Sequence, residues 1–304
     1  MPEPIPPTFL SAQPVTLPAR PGRGEDLQVR VSAPASGDDL PVIVFSHGFG
    51  QSLDSYAPLA NHWAARGFVV VQPTHLDSRR LAVPPDDPRT PRVWRIRIDD
   101  LRHVLDELDT LVAAVPGLAG RVALDRIAVA GHSWGAQSVG TLLGARVLDA
   151  GGVPGEDLSD SRVTAGVLLA AAGLGDQLTP FAREQLPFMT PSFATMTRPA
   201  LVVAGDHDQS QLSTRGPDWF TDAYVHSPGP KSLLTLFGAE HSLGGISGYD
   251  AAETTDESPA RVALLQRLTT AYLRSALDPG DTSWKSAAAA LAEDAEPIGS
   301  IDSK

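Results

Sequence analysis

The feature that most constrains this chain is a serine between two glycines, Ser133 in the run Gly-His-Ser-Trp-Gly at residues 131–135. A short, mainly apolar run at residues 126–130 precedes it, and a segment of small residues typical of a packed helix follows. Between strand and helix, two glycines permit a sharp turn in which the serine adopts a strained backbone and projects its hydroxyl above the sheet. The pattern therefore predicts a nucleophile at Ser133, whereas a chance glycine turn would lack this context.

Further apolar segments indicate what surrounds this turn. A half-exposed strand is predicted near residues 27–31, and segments without polar alternation predict strands buried on both faces. Segments in which apolar residues recur at helical spacing lie between these strands. The buried strands are predicted at residues 41–46, 68–72, 126–130, 163–172, 200–204 and 231–236, and the helices at residues 54–66, 93–112, 134–150 and 259–276. Such alternation predicts an α/β fold with a mostly parallel, twisted central sheet and helices on both faces.

The chain divides into a central domain and two flanking segments. We predict a single α/β domain at residues 26–277, a Pro-rich N-terminal arm at residues 1–25, and a C-terminal tail at residues 278–304. The tail is rich in Ala, Ser and acidic residues, so we expect its last dozen residues to be mobile. The Pro-rich excursion at residues 174–198 is predicted to form a small lid or pocket insertion.

Charge and composition exclude several classes of function. The net charge is −12 and no basic run is longer than Arg79 and Arg80, which disfavours a nucleic-acid partner. The absence of cysteine excludes disulfides and a cysteine nucleophile. No apolar run approaches the roughly 20 residues that span a bilayer. The N-terminal residues do not have the layout of a signal peptide, so we expect a cytoplasmic protein.

A serine nucleophile needs a base that removes its proton and a carboxylate that orients the base. At strand–turn–helix sites of this type the chain order is serine, acid, histidine. The histidines after Ser133 are His207, His226 and His241. His241 lies in a glycine-flanked loop, residues 238–244, directly after the last predicted strand, where a base would reach the serine. We therefore predict His241 as the base and interpret the other two as loop or surface residues.

The acid is expected on the loop after the strand at residues 200–204, where Asp206 and Asp208 are both candidates. We favour Asp208, because Asp206 is still within the turn and can bond local backbone N–H groups. Glu240 is adjacent to the histidine and is interpreted as a cap of its own loop. Asp206, His207 and Asp208 also suggest a metal site, but three adjacent side chains point in different directions and no partner cluster has ligand spacing. We predict no metal and no cofactor.

Acyl transfer also needs hydrogen-bond donors for the negative oxygen of the tetrahedral intermediate. In this architecture they are the amide after the nucleophile and an amide from the loop after an earlier strand, here the one that ends at Ser46. The predicted donors are the backbone N–H groups of Trp134 and Phe49. The alternative is that residues 47–50 form only a turn between a strand and a helix.

Some side chains in the loops around this site are candidates for a substrate pocket, although apolar residues there could equally belong to the core. For His75 we favour a structural role, because Asp77 in the same loop could hold it. The pocket candidates are Gln51, His75, Trp94 and Phe188.

The motifs together resemble a known group of enzymes. Residues 44–52, 69–77, 94–107 and 131–135 are similar to the serine-esterase branch of the α/β-hydrolase superfamily, which includes dienelactone-hydrolase-related, chlorophyllase and platelet-activating-factor-acetylhydrolase-like proteins. The likeness spans residues 26–273, and the Gly-Phe oxyanion loop also resembles that of cutinase-like enzymes. It implies an α/β-hydrolase fold and cofactor-free cleavage of a small-molecule carboxylic ester through an acyl-enzyme. Related hydrolases carry Gly-x-x-Asp at the acid loop, which implies Asp208 as the acid.

The chain departs from this pattern at several points, and other functions remain open. Dienelactone hydrolases proper use a cysteine nucleophile, which this chain lacks. Trp134 stands where a small residue or Met is common, and Ala136 where a further glycine is frequent. The same residues would also serve cleavage of a lactone, thioester or amide, acyl transfer or cyclisation. A non-catalytic binding protein on the same fold is the alternative from another class.

Overall fold

A computed structural model describes residues 9–248 and 254–304, and a single large sheet organises them. Its strands follow the order β1-β3-β5-β4-β6-β8-β10-β11-β12, with β2 also paired to β3, while β7 and β9 form a separate two-stranded ribbon. The strands are β1 (Phe9–Ser11), β2 (Val15–Leu17), β3 (Leu27–Pro34), β4 (Leu40–Ser46), β5 (Val69–Pro73), β6 (Val122–His132), β7 (Arg146–Val147), β8 (Val163–Leu169), β9 (Pro191–Ser192), β10 (Ala200–Gly205), β11 (Lys231–Leu236) and β12 (Gly299–Ser303).

Helices fill the connections between these strands. The α-helices are α1 (Ala57–Ala65), α2 (Val93–Asp106), α3 (Leu108–Ala113), α4 (Trp134–Leu142), α5 (Pro180–Gln185), α6 (Asp222–Val225), α7 (Pro259–Leu277) and α8 (Ser283–Ala292). Short 3-10 helices occupy Arg79–Leu81, Thr90–Arg92, Gly175–Gln177 and Pro217–Thr221. In the described part of the chain, no helix is both long and apolar enough to cross a membrane.

The middle of the sheet is parallel. Strands β5, β4, β6, β8, β10 and β11 pair in the same direction, and every residue of β5 and β10 is buried. Helices α1 and α7 pack together on this sheet, α2 and α4 form a second packed pair, and β8 contacts both α4 and α7. Burial on both faces explains why these strands are apolar without alternation. The predicted fold class is confirmed.

Two predicted helices differ in extent from the structure. The helix predicted at residues 134–150 ends at Leu142, because the backbone turns at Gly144, which has φ 109° and approaches the carbonyl oxygen of Thr195. A side chain at Gly144 would place Cβ 2.5 Å from that oxygen. The helix predicted at residues 93–112 is divided at Glu107 into α2 and α3. Apolar spacing continues across both breaks, so periodicity alone could not reveal them.

Both flanking segments contribute strands to the sheet. In the N-terminal arm, β1 and β2 pair antiparallel with β3, while residues 1–8 lie outside the described residues. In the C-terminal segment, β12 pairs antiparallel with β11, so the expectation of a mobile tail is wrong. The backbone N–H groups of Lys231 and Lys304 each donate to the other's carbonyl oxygen, at 3.0 and 2.9 Å. An edge strand with one exposed side needs few apolar residues, which is why its composition was misleading.

Candidate active site

Ser133 lies at the turn between β6 and α4, with φ 56° and ψ −122°. Positive φ is strained for a residue that has a Cβ. The flanking glycines make the turn sterically possible: a Cβ on Gly131 would lie 2.5 Å from the carbonyl carbon of Gly135, and a Cβ on Gly135 would lie 2.0 Å from the carbonyl oxygen of Ser46. The sequence run at residues 131–135 therefore folds as the expected elbow, with the serine at the carboxyl end of the central strand β6.

The hydroxyl of Ser133 contacts the histidine proposed from the sequence, which in turn contacts the proposed aspartate. Ser133 Oγ is 2.9 Å from His241 Nε2, and His241 Nδ1 is 2.9 Å from Asp208 Oδ2. Asp208 is fully buried, whereas the His241 side chain is 44% exposed. The carboxylate can only accept, so His241 Nδ1 carries the hydrogen and Nε2 is free to accept from the serine. This arrangement can transfer a proton from serine to imidazole.

The other candidates have different partners. Asp206 Oδ1 accepts a hydrogen bond of 2.6 Å from the backbone N–H of Gly238, as expected for a turn residue. His207 is exposed, and His226 lies at the surface with its Nε2 3.7 Å from a carboxylate oxygen of Asp222. His207 Nε2 lies 4.0 Å from Asp206 Oδ1, whereas Asp208 is directed to His241, so the three side chains do not converge on one point. Among residues 9–248 and 254–304, no group of three or more His, Cys, Asp or Glu could hold a metal ion.

A residue that the sequence did not indicate holds the loop of the histidine. The buried carboxylate of Asp256 accepts hydrogen bonds through Oδ2 from the backbone N–H groups of Glu240, at 2.8 Å, and Gly244, at 2.9 Å. The carboxylate of Glu240 binds the hydroxyl of Thr255 and not the imidazole. Asp256 thereby fixes both sides of His241. No local motif surrounds it, so the sequence carried no signal for this role.

The loop with the second predicted donor is held on both sides of Phe49. The N–H of Gly48 donates to Tyr56 Oη at 3.1 Å, and the N–H of Gly50 donates to Asp77 Oδ2 at 3.2 Å. His47 Nδ1 is 2.7 Å from the carbonyl oxygen of Gly48, which belongs to the same peptide group as the N–H of Phe49. In a planar trans peptide these two groups point in opposite directions, so fixing the carbonyl also aims the N–H.

The tautomer of His47 follows from its other contact. The backbone N–H of His75 donates to His47 Nε2 at 2.9 Å, so Nε2 is an acceptor and Nδ1 carries the hydrogen. Burial lowers the pKa of His47 well below its usual value, and the neighbouring Arg97 adds to this effect. His47 is therefore neutral and donates to the oxyanion loop.

His75 does not line a pocket, which corrects that candidate. It is fully buried, with Nε2 2.9 Å from Ser46 Oγ and Nδ1 3.1 Å from Asp100 Oδ2. Asp77, its expected partner, pairs instead with the buried Arg97 at 2.6 Å. Burial lowers the pKa of His75 well below its usual value, so the ring stays neutral and does not act as a base. The structural interpretation of His75 therefore agrees with its surroundings, with a different carboxylate as partner.

Aromatic rings form a row beside the serine. The ring of Phe188 is nearly parallel to those of Trp94 and Trp134, with centroids 6.1 and 5.2 Å away and 14° between the planes. The Trp134 ring lies 5.6 Å from that of Phe49, whose side chain is 62% exposed. The remaining pocket candidate, Gln51, accepts a hydrogen bond from Ser55 within its own loop. These four aromatic rings thus connect the oxyanion loop, the elbow, the excursion at residues 174–198 and helix α2.

The sheet and the elbow define the class of protein to which this chain is similar. A mostly parallel sheet with a strained serine between its central strand β6 and helix α4 is the α/β-hydrolase fold. Residues 20–146 match the family model described as Chlorophyllase, an esterase family of α/β hydrolases. The resemblance inferred from the sequence is confirmed over this part of the chain, which includes Phe49, Ser133 and Trp134. A comparison with curated proteins gave no significant match.

Proposed function

We propose that this protein is a serine hydrolase that cleaves a carboxylic ester through an acyl-enzyme, with Ser133 as nucleophile, His241 as base and Asp208 as orienting acid. The observation that carries the proposal is the pair of 2.9 Å hydrogen bonds that join these three side chains at the strained turn. The match to an esterase family over residues 20–146 supports the same reaction class. Neither a metal ion nor an organic cofactor takes part in the proposed chemistry.

The reaction begins when His241 Nε2 takes the proton of Ser133 as Oγ attacks the carbonyl carbon of the ester. The backbone N–H groups of Phe49 and Trp134 donate to the resulting oxyanion. The protonated imidazole then gives its proton to the leaving alcohol, and the acyl group stays on Oγ. In the second half, His241 deprotonates a water molecule that attacks the acyl-enzyme and releases the acid. The buried carboxylate of Asp208 stabilises the imidazolium in both halves.

Exposure of the base favours hydrolysis over acyl transfer. The His241 side chain is 44% exposed, so water can reach the acyl-enzyme without a change in the surrounding loops. An enzyme that transfers the acyl group to another acceptor must keep water away from this intermediate.

The aromatic row supports a substrate with an apolar acyl or alcohol group. Three stacked rings lie beside the elbow, those of Trp94, Phe188 and Trp134. The guanidinium carbon of Arg97 lies over the Trp134 ring, 5.1 Å from its centroid. A panel of p-nitrophenyl esters graded by chain length tests this part of the proposal. We expect kcat/KM to rise with chain length in the wild type, and Phe188→Ala to flatten the rise. A preference for acetate that Phe188→Ala leaves unchanged would contradict an apolar subsite at this row.

Labelling with a fluorophosphonate probe tests the reaction class. An activated serine attacks the phosphorus, whereas a binding protein without a working nucleophile does not. We expect the label on Ser133, identified by peptide mass, and no labelling of Ser133→Ala. Ser138, which also lies on α4 and donates to the carbonyl oxygen of Trp134, provides the control variant Ser138→Ala. Equal labelling of Ser133→Ala and wild type would contradict the proposed nucleophile.

A further inference from the structure

His132, the residue before the proposed nucleophile, is buried between two parts of the site. Its ring centroid lies 5.5 Å from that of Tyr56 and 5.0 Å from that of His241. His132 Nδ1 is 2.8 Å from Tyr56 Oη, and His132 Nε2 is 2.8 Å from the carbonyl oxygen of His241. The hydroxyl of Tyr56 also receives the N–H of Gly48. These contacts connect the oxyanion loop, the elbow and the loop of the histidine base.

The direction of each hydrogen bond follows from what its partners can donate. The carbonyl oxygen of His241 can only accept, so His132 Nε2 carries a hydrogen. In the neutral ring Nδ1 is then an acceptor, and the Tyr56 hydroxyl must donate to it. The amide of Gly48 can only donate, so Tyr56 Oη accepts from it. These hydrogen bonds therefore all run in one direction, from Gly48 N–H through Tyr56 to His132 and on to the carbonyl oxygen of His241.

Burial keeps both side chains in the protonation states that this direction requires. Burial, with a smaller contribution from His241, lowers the pKa of His132 to about 3, so the ring is neutral at neutral pH. Burial raises the pKa of Tyr56 to about 12, so its hydroxyl keeps the hydrogen that it donates. The close packing also requires a glycine at Gly48, where a Cβ would lie 2.8 Å from Tyr56 Oη and 3.3 Å from His132 Nδ1.

We propose that Tyr56 and His132 are positioning residues that hold the oxyanion donor at Phe49 and the base His241 in a fixed relation to each other. The inference rests on the proposed function, because it assigns these two residues to the same reaction. Neither side chain touches the substrate in this proposal. Loss of these hydrogen bonds removes the link between the Gly48 amide and the backbone of His241, while His47 and Asp256 still hold the two loops separately. The two loops can then shift relative to each other, which reduces the alignment needed in the transition state and leaves substrate binding largely intact.

The first test is Tyr56→Phe, compared with Tyr272→Phe as a matched buried tyrosine. Tyr56→Phe keeps the ring, which packs 4.8 Å from that of Phe45, and removes one hydroxyl. Tyr272 lies on α7 against Trp284 of α8. We expect Tyr56→Phe to lower kcat by roughly 10- to 100-fold, less than the loss of an oxyanion donor, with KM changed by less than about twofold. Tyr272→Phe should stay near the wild-type rate. Equal kcat values for the two variants at similar melting temperatures would overturn the proposal.

A double-mutant comparison tests whether Tyr56 and His132 act through the same series of hydrogen bonds. If Tyr56 and His132 act through the same hydrogen bonds, the double variant Tyr56→Phe/His132→Gln loses no more kcat than the worse single variant. Independent structural effects would multiply instead, and that result would contradict a shared positioning role. Ser133→Ala is assayed in parallel: turnover that survives Ser133→Ala contradicts the proposed function and with it the catalytic part of this inference.

Nitrogen-15 NMR of the histidine rings tests the direction of these hydrogen bonds without reference to activity. The His132 signals are assigned by their disappearance in His132→Gln. We expect a neutral ring with the hydrogen on Nε2 from pH 5 to pH 8, both in the wild type and in Ser133→Ala, and a shifted Nδ1 signal in Tyr56→Phe. A hydrogen on Nδ1, or a ring that becomes charged in this range, would overturn the proposed direction of these hydrogen bonds even if the enzyme is an active esterase.

Discussion

The described residues include two sets of serine, histidine and aspartate with nearly the same hydrogen bonds. In one set the serine–histidine and histidine–aspartate distances are both 2.9 Å, and in the other they are 2.9 and 3.1 Å. We call them the surface set and the buried set. They are, respectively, Ser133, His241 and Asp208, and Ser46, His75 and Asp100.

The two sets differ in exposure and in how readily the histidine takes up a proton, and both differences favour the surface set as the proposed catalytic one. Ser46 ends β4 in extended backbone, is fully buried, and also accepts a hydrogen bond from Arg97 at 3.3 Å. Burial and Arg97 lower the pKa of His75, so this ring resists the proton that a base must accept. Ser133 instead occupies a strained turn next to an exposed histidine. Residue types and distances therefore do not define a catalytic triad without access and a base that can be protonated.

Serine-to-alanine variants in both sets give the largest expected difference. Ser133→Ala should reduce kcat by at least ~10⁴-fold while the melting temperature stays within a few degrees, because the hydroxyl is removed from an open turn. Ser46→Ala should keep kcat within about tenfold but lose ~1–3 kcal/mol of unfolding free energy, because His75 and Arg97 each lose a buried partner. Measuring kcat and denaturant unfolding for both variants checks the comparison. A Ser46→Ala variant that is stable and inactive would reverse it.

The aspartates on the acid loop give the next largest effect. Asp208→Asn should lower kcat by ~10⁴-fold, as the corresponding change does in serine proteases, since an amide cannot both orient the imidazole and stabilise its charged form. Asp206→Asn should cost ~1 kcal/mol of stability with turnover kept, because its role is a backbone contact to Gly238. Both variants are to be compared in kcat and melting temperature. If Asp206→Asn is the folded and inactive one, the acid has been assigned to the wrong residue.

Local sequence patterns indicated the three residues that the structure brings together at the candidate site. Ser133 follows from its glycines and the strand before them, and His241 and Asp208 follow from their loops after predicted strands. The partner of His75 could not be predicted, because Asp77 is close in sequence while Asp100 reaches the ring from α2 in three dimensions. The β12 strand was also missed, since it is recognised by pairing and not by its own apolar pattern.

Asp256 offers a smaller effect that separates the loop of the base from the base itself. Its carboxylate binds two backbone N–H groups beside His241, and Asp256→Asn weakens charged hydrogen bonds of a kind worth ~1.5–3 kcal/mol each. We expect a fall in kcat of roughly tenfold and a lower melting temperature. Glu240→Gln, which alters the contact of the Glu240 carboxylate with Thr255, is the control and should change both by much less. Equal effects of the two variants would show that Asp256 does not control the position of the loop.

The smallest expected effect is on the pH dependence of stability. His75 is held neutral in the fold, whereas in the unfolded chain it binds a proton below its ordinary pKa of about 6.5. The unfolded state then binds more protons, so the unfolding free energy falls as the pH drops below ~6.5, by up to about 1.4 kcal/mol per pH unit for this residue. Asp100, whose pKa burial raises to about 6, contributes the opposite slope between about pH 6 and its ordinary value near 4.

Urea unfolding of His75→Gln at several pH values between 5 and 7.5 measures this contribution. The slope of its unfolding free energy against pH should be less positive than that of the wild type, because the contribution of His75 is removed while that of Asp100 remains. The exposed His226 provides the control, because His226→Gln removes a ring that water already reaches. A slope unchanged by His75→Gln would mean that the buried set takes up protons in the folded protein.

The outermost strand has a consequence for self-association. Strand β11 is buried along almost its whole length and is rich in leucine. Without β12, its row of unpaired backbone N–H and C=O groups would be open to pairing with other molecules. Strand β12 covers this row with five residues and faces solvent with small and charged side chains, among them Asp302 and the adjoining Lys304. Short, charged edges are poor templates for intermolecular pairing. Residues 299–304 thus give this end of the sheet an edge that disfavours intermolecular pairing, at the opposite end from the short β1.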